Sequence, residues 1–148
     1  MRNRLWIAMV AVLFAANATA ELEVYKDYDL GESVFSMTTV KVDANMADVY
    51  LAGLKQTWVE SNNIAKDLGH IEDFHIYASD LPQSGEFNLV LTIEYKSGAD
   101  LEPSKKRYQA FMKKWGEKRQ EESSEISKSY PNVRTITGQY RMREIIMK

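Results

Sequence analysis

Apolar and polar residues alternate along residues 87–95 (FNLVLTIEY), which predicts the central strand of a sheet. Successive side chains of a strand point to opposite faces, so one face of this strand is wholly apolar and the other is mixed. The apolar face carries Phe87, Leu89, Leu91, Ile93 and Tyr95, and the mixed face carries Asn88, Val90, Thr92 and Glu94. We therefore expect helices to cover the apolar face.

The chain before this strand predicts a strand, a helix and a second strand. Residues 33–42 (SVFSMTTVKV) and 71–79 (IEDFHIYAS) both alternate and are rich in strand-forming residues. Between them, apolar residues recur at three-, four- and seven-residue spacings, which indicates an amphipathic helix. Asp43 or Asn45 fits the N-cap of this helix, and Gly69 fits the left-handed residue that follows its last turn.

The rest of the chain predicts a hairpin, a second helix and a last strand. Residues 81–86 (LPQSGE) contain Pro and Gly and join the second and third strands as an antiparallel hairpin. A helix begins near Pro103 and continues to about Ser127. Its apolar stripe consists of Tyr108, Phe111, Met112 and Trp115. Residues 133–147 alternate again and predict the fourth strand, with Gln139, Arg141 and Arg143 on its helix-free side.

The order β-α-β-β-α-β predicts an α+β fold, the ferredoxin-like sandwich, in which two helices cover one face of a four-stranded antiparallel sheet. The first and third strands of that topology are central, which agrees with the apolar character of residues 87–95. We expect a single domain over residues 33–148, preceded by a polar N-terminal arm at residues 21–32.

The first twenty residues have the pattern of a cleavable signal peptide. Arg2 and Arg4 give a positive start, residues 5–16 are apolar, and residues 18–20 (ATA) are small. The apolar run of about 12 residues is too short for a membrane span, which takes roughly 20 residues. We expect cleavage after Ala20 and a periplasmic or secreted protein that has no membrane association afterwards.

Net charge and the content of cysteine and histidine limit the kinds of partner and site that the chain can have. The formal net charge is −2, which gives no reason to expect a nucleic-acid partner, and the absence of cysteine excludes disulfides and thiol chemistry. Asp73, His75 and Glu94 form the one cluster that could hold a metal, and His70 would point to the opposite face from His75. We expect no metal and no cofactor, because zinc and iron sites need several ligands in a defined geometry.

Three segments resemble the dimeric α/β-barrel superfamily. The first is the part of the first helix that contains Trp58, and the second is residues 68–74 (LGHIEDF) at the start of the second strand. The third is the predicted central strand, residues 87–96, with the turn of small residues that follows it. Within that superfamily the chain is similar to small uncharacterised exported bacterial proteins related to the stress-responsive barrel-like domain. The resemblance implies a homodimer whose two sheets face each other through their helix-free sides. Haem-degrading members have a catalytic His on the second helix, which has no His here.

The helix-free face supplies the candidate binding residues. The exposed side of such a sheet would be too apolar to remain in water, and patches of this kind mark interfaces or ligand sites. The candidate ligand-binding residues are Met37, His75, Tyr77, Val90, Thr92, Glu94 and Arg141. His75 is also the best candidate for a catalytic base, with Glu94 or Thr92 beside it. Arg141 could hold an anionic group, or pair with a carboxylate instead.

Three functions fit these residues. The first is the binding of a small apolar or aromatic molecule by a dimeric α/β barrel. The second is a cofactor-independent monooxygenase or isomerase with His75 as its base. The third is an envelope protein that acts through interaction alone and binds no ligand. The sequence contains no motif for nucleophilic catalysis or phosphate binding, so it leaves open whether the protein is an enzyme.

Overall fold

The computed structural model describes residues 21–81 and 84–148. The predicted signal peptide, residues 1–20, lies outside the described residues, as does part of the 81–86 turn. The strands are β1 (Tyr28–Val42), β2 (Asp73–Ala78), β3 (Leu89–Tyr95) and β4 (Arg134–Met147). The α-helices are α1 (Ala47–Leu54), α2 (Glu60–Asp67), α3 (Lys105–Trp115) and α4 (Glu117–Lys128).

The four strands form one antiparallel sheet in the order β2-β3-β1-β4. This is the ferredoxin-like arrangement that the element order predicts, and the α+β fold class is confirmed. β1 and β3 occupy the centre, where Val34, Val40, Leu89 and Leu91 are buried. Phe87 precedes β3 and is exposed, so the apolar face of the predicted strand begins at Leu89.

β1 begins at Tyr28, so the predicted arm at residues 21–32 is in part wrong. Three of its residues pair with the end of β4: Tyr28 lies opposite Met147, Asp29 opposite Ile146, and Leu30 opposite Ile145. A bulge after Leu30 accommodates Gly31 and Glu32 before the regular ladder resumes at Val34. The polar composition of this segment concealed the strand, because its partner lies more than a hundred residues away.

The first helical segment is continuous from α1 to α2 but contains a π-helical turn, Lys55–Val59. Gly69 follows it with φ +66°, as predicted. The predicted caps are wrong, since Met46 occupies the N-cap and no side chain caps the helix. Asp43 contributes its backbone carbonyl, which accepts a hydrogen bond from the N–H of Met46 at 3.1 Å.

The predicted second helix is broken in two at Gly116, whose φ of +80° ends α3. Ser104 caps α3 by accepting a hydrogen bond from the backbone N–H of Arg107. Trp115 is buried at the end of α3, but Tyr108 is 64% exposed, so its assignment to the core stripe is wrong. The break directs α4 onto the π-helical turn, where the two segments are in contact.

The core lies between the sheet and the helical layer. Its buried residues are Val40, Val42, Tyr50, Leu54, Leu89, Leu91 and Tyr130. Trp58 packs on this cluster and meets Phe74 edge to face, with ring centroids 5.3 Å apart. Tyr130 belongs to a short 3₁₀ turn, Tyr130–Asn132, that leads from α4 into β4.

Candidate functional site

A bulge in β4 decides which of its side chains reach each face of the sheet. Thr39 pairs with Gly138, whereas the next residue of β1, Val40, pairs with Ile136. Thr137 is therefore the additional residue, and alternation along β4 is interrupted there. Ile136, an even-numbered residue, lies on the helix side with Val40. Beyond Gly138 the pattern is reversed, so that even-numbered residues of β4 lie on the helix-free side and odd-numbered residues on the helix side.

Arg141 consequently lies on the helix side of the sheet, where it pairs with Ser36. The prediction that Arg141 shares a face with His75 is wrong, and Gln139 and Arg143 are displaced in the same way. The alternating apolar residues Tyr140 and Met142 take the helix-free face instead. Pattern alone placed them next to the helices, because apolar residues were assumed to face the core.

The helix-free face, here called the open face, consists of three rows of side chains across β2, β3, β1 and β4. Paired residues of an antiparallel sheet lie side by side on one face. The first row is Asp73, Glu94, Phe35 and Met142; the second is His75, Thr92, Met37 and Tyr140; the third is Tyr77, Val90, Thr39 and Gly138. Six of the seven predicted binding residues therefore share this face.

The open face carries several large apolar side chains that are accessible. Tyr77, Tyr140 and Met142 are 55%, 52% and 47% exposed, respectively. In contrast, Thr39 and Thr92 in the middle of the sheet are buried. Thr39 accepts a hydrogen bond from the hydroxyl of Thr137 at 2.9 Å. An apolar surface of this kind favours contact with another surface over contact with water.

His75 lies on the edge strand β2, between Asp73 and Tyr77. Its ring centroid is 5.8 Å from that of Tyr77, and its Nε2 is 3.8 Å from Oδ2 of Asp73. The Lys66 ammonium donates to Oδ1 of Asp73 at 2.8 Å, and the N–H of Phe74 donates to the same oxygen. These hydrogen bonds lower the pKa of Asp73, so its carboxylate stays ionised and can attract a protonated His75.

A pocket that the sequence did not predict lies on the other side of the sheet, beneath the helical layer. Its volume is about 320 Å³, which is at the lower end of the range for small-molecule sites. Its apolar lining consists of Val40, Leu54, Trp58, Leu91 and Ile136. Ile136 and Gln139, both on β4, are exposed, so the pocket is accessible along that strand.

Thr57 and Tyr130 form a hydrogen-bonded pair in the pocket wall, with their oxygens 2.6 Å apart. Thr57 lies in the π-helical turn, a feature frequent at functional sites, and donates its hydroxyl proton to the carbonyl of Gly53 at 3.0 Å. Since that proton is already used, the Tyr130 hydroxyl donates to Thr57. The Tyr130 oxygen can then still accept a hydrogen bond from a molecule in the pocket.

Arg134, the first residue of β4, is the only charged residue in the lining of this pocket among the described residues. Its guanidinium carbon lies 5.6 Å from the ring centroid of Tyr130 and 5.9 Å from that of Tyr50. Its Nε is buried and has no hydrogen-bond partner. Leaving such a donor unsatisfied costs about 1–3 kcal/mol, so it requires an explanation.

No carboxylate within residues 21–81 and 84–148 neutralises Arg134. The ion pairs found there involve other cations. Burial raises the pKa of Tyr50 beside it, and a side-chain hydrogen bond from Arg134 together with its positive charge offsets only part of that effect. The phenol of Tyr50 is thus neutral at physiological pH and does not neutralise the guanidinium.

Serine hydroxyls extend this polar side of the pocket. Ser123 and Ser127 are one turn apart on α4, so they lie on the same helix face and both line the pocket. Thr38, Ser61 and Gln139 complete the polar lining. The pocket thus combines an apolar floor with a few polar groups at one side, the form that small-molecule sites usually take.

A second hollow, of about 230 Å³, lies beside the β2–β3 connection. It contains Lys41, whose ammonium donates to the carbonyls of Ser84 and Gly85, both at 2.8 Å. Asn88 bonds both backbone groups of Val42 at the same place. The polar groups here hold the connection, so we consider the Arg134 pocket the better candidate.

Little in the sequence could have identified the Arg134 pocket. Tyr130 stands before Pro131 and indicated only the end of a helix, and Arg134 indicated only the start of a strand. The available signal was Gly53, a glycine within an apolar helical stripe, four residues before Thr57. A glycine in that place indicates the close approach of another group, which here is the Tyr130 ring.

Residues 21–81 and 84–148 contain no group of three His, Asp or Glu side chains arranged to hold a metal ion. Within the same residues, no helix combines the length and the apolar character needed to cross a membrane.

No protein-family model matches the sequence, and no curated protein matches it either. Among solved structures, the chain is similar to HapK from Hahella chejuensis, with 10% identity over 75% of this chain and 91% of HapK and a TM-score of 0.46. It is also similar to a dimeric ferredoxin-like protein from an uncultured marine organism (14% identity, 80% and 90% covered, TM-score 0.44). A third is a dimeric ferredoxin-like protein of unknown function from Thermobifida fusca YX (6%, 78% and 92%, TM-score 0.40).

Proposed function

We propose that the protein binds a small organic molecule in the pocket lined by Arg134, Tyr130 and Thr57. The observation that carries this proposal is the combination of an apolar floor with a single unneutralised guanidinium in a pocket of about 320 Å³. An arginine that only stabilised the fold would be expected to satisfy its donors with carboxylates or carbonyls.

The sequence predicted a ligand of apolar or aromatic character, and the lining of this pocket supports that class. Trp58, Leu54 and Leu91 offer flat and aliphatic surface, and Tyr50 adds an aromatic ring. The predicted location differs, because the sequence assigned the ligand to Met37, His75 and the rest of the open face. We assign the open face to pairing with a second copy of the chain.

Pairing through the open face is the second part of the proposal. The exposed rings of Tyr77 and Tyr140, together with Met142, supply the apolar surface, and burying it against an identical face removes it from water. Two sheets stacked in this way would form the dimeric α/β barrel that the resemblance implies. The ligand pocket would then remain accessible on the outer, helical side of each sheet.

We also propose that the protein acts outside the cytoplasm, on the strength of its N-terminal pattern. Arg2, Arg4 and the apolar residues 5–16 support export, and the small residues at 18–20 support cleavage. A chain without cysteine is compatible with an oxidising compartment. The mass of the exported protein tests this part, because cleavage after Ala20 leaves a chain that begins at Glu21.

Native mass spectrometry of the protein purified from its own host without denaturation tests the binding function. We expect twice the mass of the processed chain, with a reproducible additional small-molecule mass that is lost on denaturation. A protein that carries no additional mass, and that acquires none from an extract of host metabolites, would contradict the proposal and favour an interaction protein. A monomer would contradict the pairing but not the pocket.

A pocket-filling substitution shows whether the additional mass resides in the Arg134 pocket. Ser127 is half-buried and lines the pocket, whereas Ser124 lies on the exposed side of the same helix. Ser127→Phe should abolish retention of the molecule, and Ser124→Phe should leave it unchanged. If both variants retain the molecule, its site is elsewhere.

A further inference from the structure

We infer that the ligand of this pocket is a small organic anion, a carboxylate or a group of equivalent charge on an aromatic or aliphatic body, recognised by Arg134. This inference rests on the proposed function and specifies its ligand. The pocket brings one cation together with several hydroxyls, and none of the described residues that line it is acidic.

The position of the charge defines how such a molecule would lie. Arg134 is on β4 at one side of the pocket, and the apolar residues Leu54 and Leu91 lie on its floor. An amphipathic anion can place its charged group beside the guanidinium and its body over the floor. A neutral apolar molecule would leave the guanidinium without an anionic partner, and an inorganic anion would leave the apolar floor uncovered.

The surroundings of Arg134 leave one of its hydrogen-bond donors available to an anion. Its close neighbours, Tyr50 and Tyr130, present π systems at 5.9 and 5.6 Å. The Tyr50 side chain takes a hydrogen bond from Arg134, whereas the Nε of Arg134 has no partner. The guanidinium therefore keeps its Nε–H group for a ligand. A carboxylate matches its planar fork of donors.

Arg134 differs from Arg107 and Arg119, the two arginines of α3 and α4. Arg119 faces Glu60 at 3.9 Å, and Arg107 pairs with Asp100 at 3.2 Å and donates to the carbonyl of Glu102. Each of them has an acidic partner within the chain. Arg134 thus stands out as a cation directed to an apolar pocket and not to a carboxylate.

The test compares anions with neutral molecules of the same shape. Benzoate, 2-naphthoate and octanoate are titrated into the purified protein by calorimetry at neutral pH, each alongside its primary amide. We expect at least one carboxylate to bind roughly tenfold or more tightly than its amide, since a hydrogen bond to a charged group contributes that much. Binding of that carboxylate should also shift the Nε–Hε resonance of Arg134 in a nitrogen-edited NMR spectrum.

Substitutions assign the preference to this residue. Arg134→Gln should reduce carboxylate affinity roughly tenfold or more and leave amide affinity unchanged, whereas Arg134→Lys should retain part of the preference. Arg141→Gln is the matched control, because it removes the same charge from the same strand and face outside the pocket. We expect Arg141→Gln to bind like the unmodified protein.

The outcomes separate this inference from the proposed function. Equal affinity for acids and amides, or a preference that survives Arg134→Gln, would overturn the anion inference while the pocket remained a binding site. Failure of every carboxylate to bind at millimolar concentration would also overturn it. The proposed function is decided independently, by whether the protein from its host carries a molecule that Ser127→Phe displaces.

Discussion

The phenol ring of Tyr140 lies over Gly138, in the space that a side chain at position 138 would occupy. A Cβ atom built on Gly138 would be 2.6 Å from Cε2 and 2.7 Å from Cζ of Tyr140. The glycine lies at the β4 bulge and pairs with Thr39, which is buried although it belongs to the open face. The ring therefore covers the place where the sheet would otherwise expose its backbone.

Gly138→Ala should displace this ring and lower the free energy of unfolding. Tyr140 is half exposed and can turn towards solvent, so we expect a loss of about 1 kcal/mol, at the low end for overpacking. Urea denaturation measures the change. The same substitution in a Tyr140→Ser background should cost less, because the obstructing ring is absent; equal losses in both backgrounds would show that the ring is not responsible.

Gly53→Ala should destabilise the protein although alanine favours helices. Its Cβ would be 2.8 Å from Cε1 of Tyr130, and Tyr130 is buried and cannot withdraw. We expect a loss of roughly 1–3 kcal/mol, larger than the gain of about 1 kcal/mol in helix propensity. Gly85→Ala, which meets no atom within 4 Å, is the control. A stabilised Gly53→Ala protein would mean that propensity outweighs the contact.

A charge placed on the open face should separate the proposed dimer. Met142→Lys puts an ammonium group in the first row, where pairing would remove its charge from water, and we expect the dissociation constant to rise at least about a hundredfold. Size-exclusion chromatography with light scattering reports the change. Tyr108→Lys, on the exposed side of α3, should leave the mass unchanged. A Met142→Lys protein that stays dimeric would place the interface elsewhere.

Alkaline pH should unfold the protein partly through Tyr50. Burial raises the pKa of Tyr50 above its ordinary value of 10.0, so the folded state holds this proton more tightly than the unfolded chain does. The associated stability is complete below pH 10.0 and is lost as the pH rises through the folded value. Tyr50→Phe should therefore lose less stability than the unmodified protein as the pH is raised above this range.

Denaturation midpoints at successive alkaline pH values measure this effect. The pKa of Tyr95 is also raised by burial, so the dependence should flatten in Tyr50→Phe without disappearing. Tyr108→Phe, on an exposed surface, should follow the unmodified protein. Identical pH profiles for all three proteins would refute the role of Tyr50.

His75→Ala separates catalysis from structure. The His75 side chain is 54% exposed on an edge strand, so its loss should change the free energy of unfolding by less than about 0.5 kcal/mol. If the protein is an enzyme with His75 as its base, turnover of the molecule identified by mass spectrometry should be abolished while the oligomeric mass is retained. Unchanged turnover would exclude His75 as the base.

The sequence by itself determined the order of elements, the fold class and the central position of β1 and β3. These features depend on local periodicity, which is visible in the spacing of Leu89 and Leu91 and in the apolar stripes of the helices. It also determined that His75, Tyr77, Thr92 and Met37 share a face, because strand parity is fixed within each regular segment.

Tertiary structure alone decided the face of Arg141 and the existence of the Arg134 pocket. One additional residue, Thr137, changes the face on which all later side chains of β4 lie. The alternation of apolar and polar residues along β4 does not indicate this bulge. The pocket joins α1, the π-helical turn, α4 and β4, so that Thr57 meets Tyr130 across 73 positions of the chain. Contacts over such separations depend on how whole elements pack, and local periodicity carries no information about them.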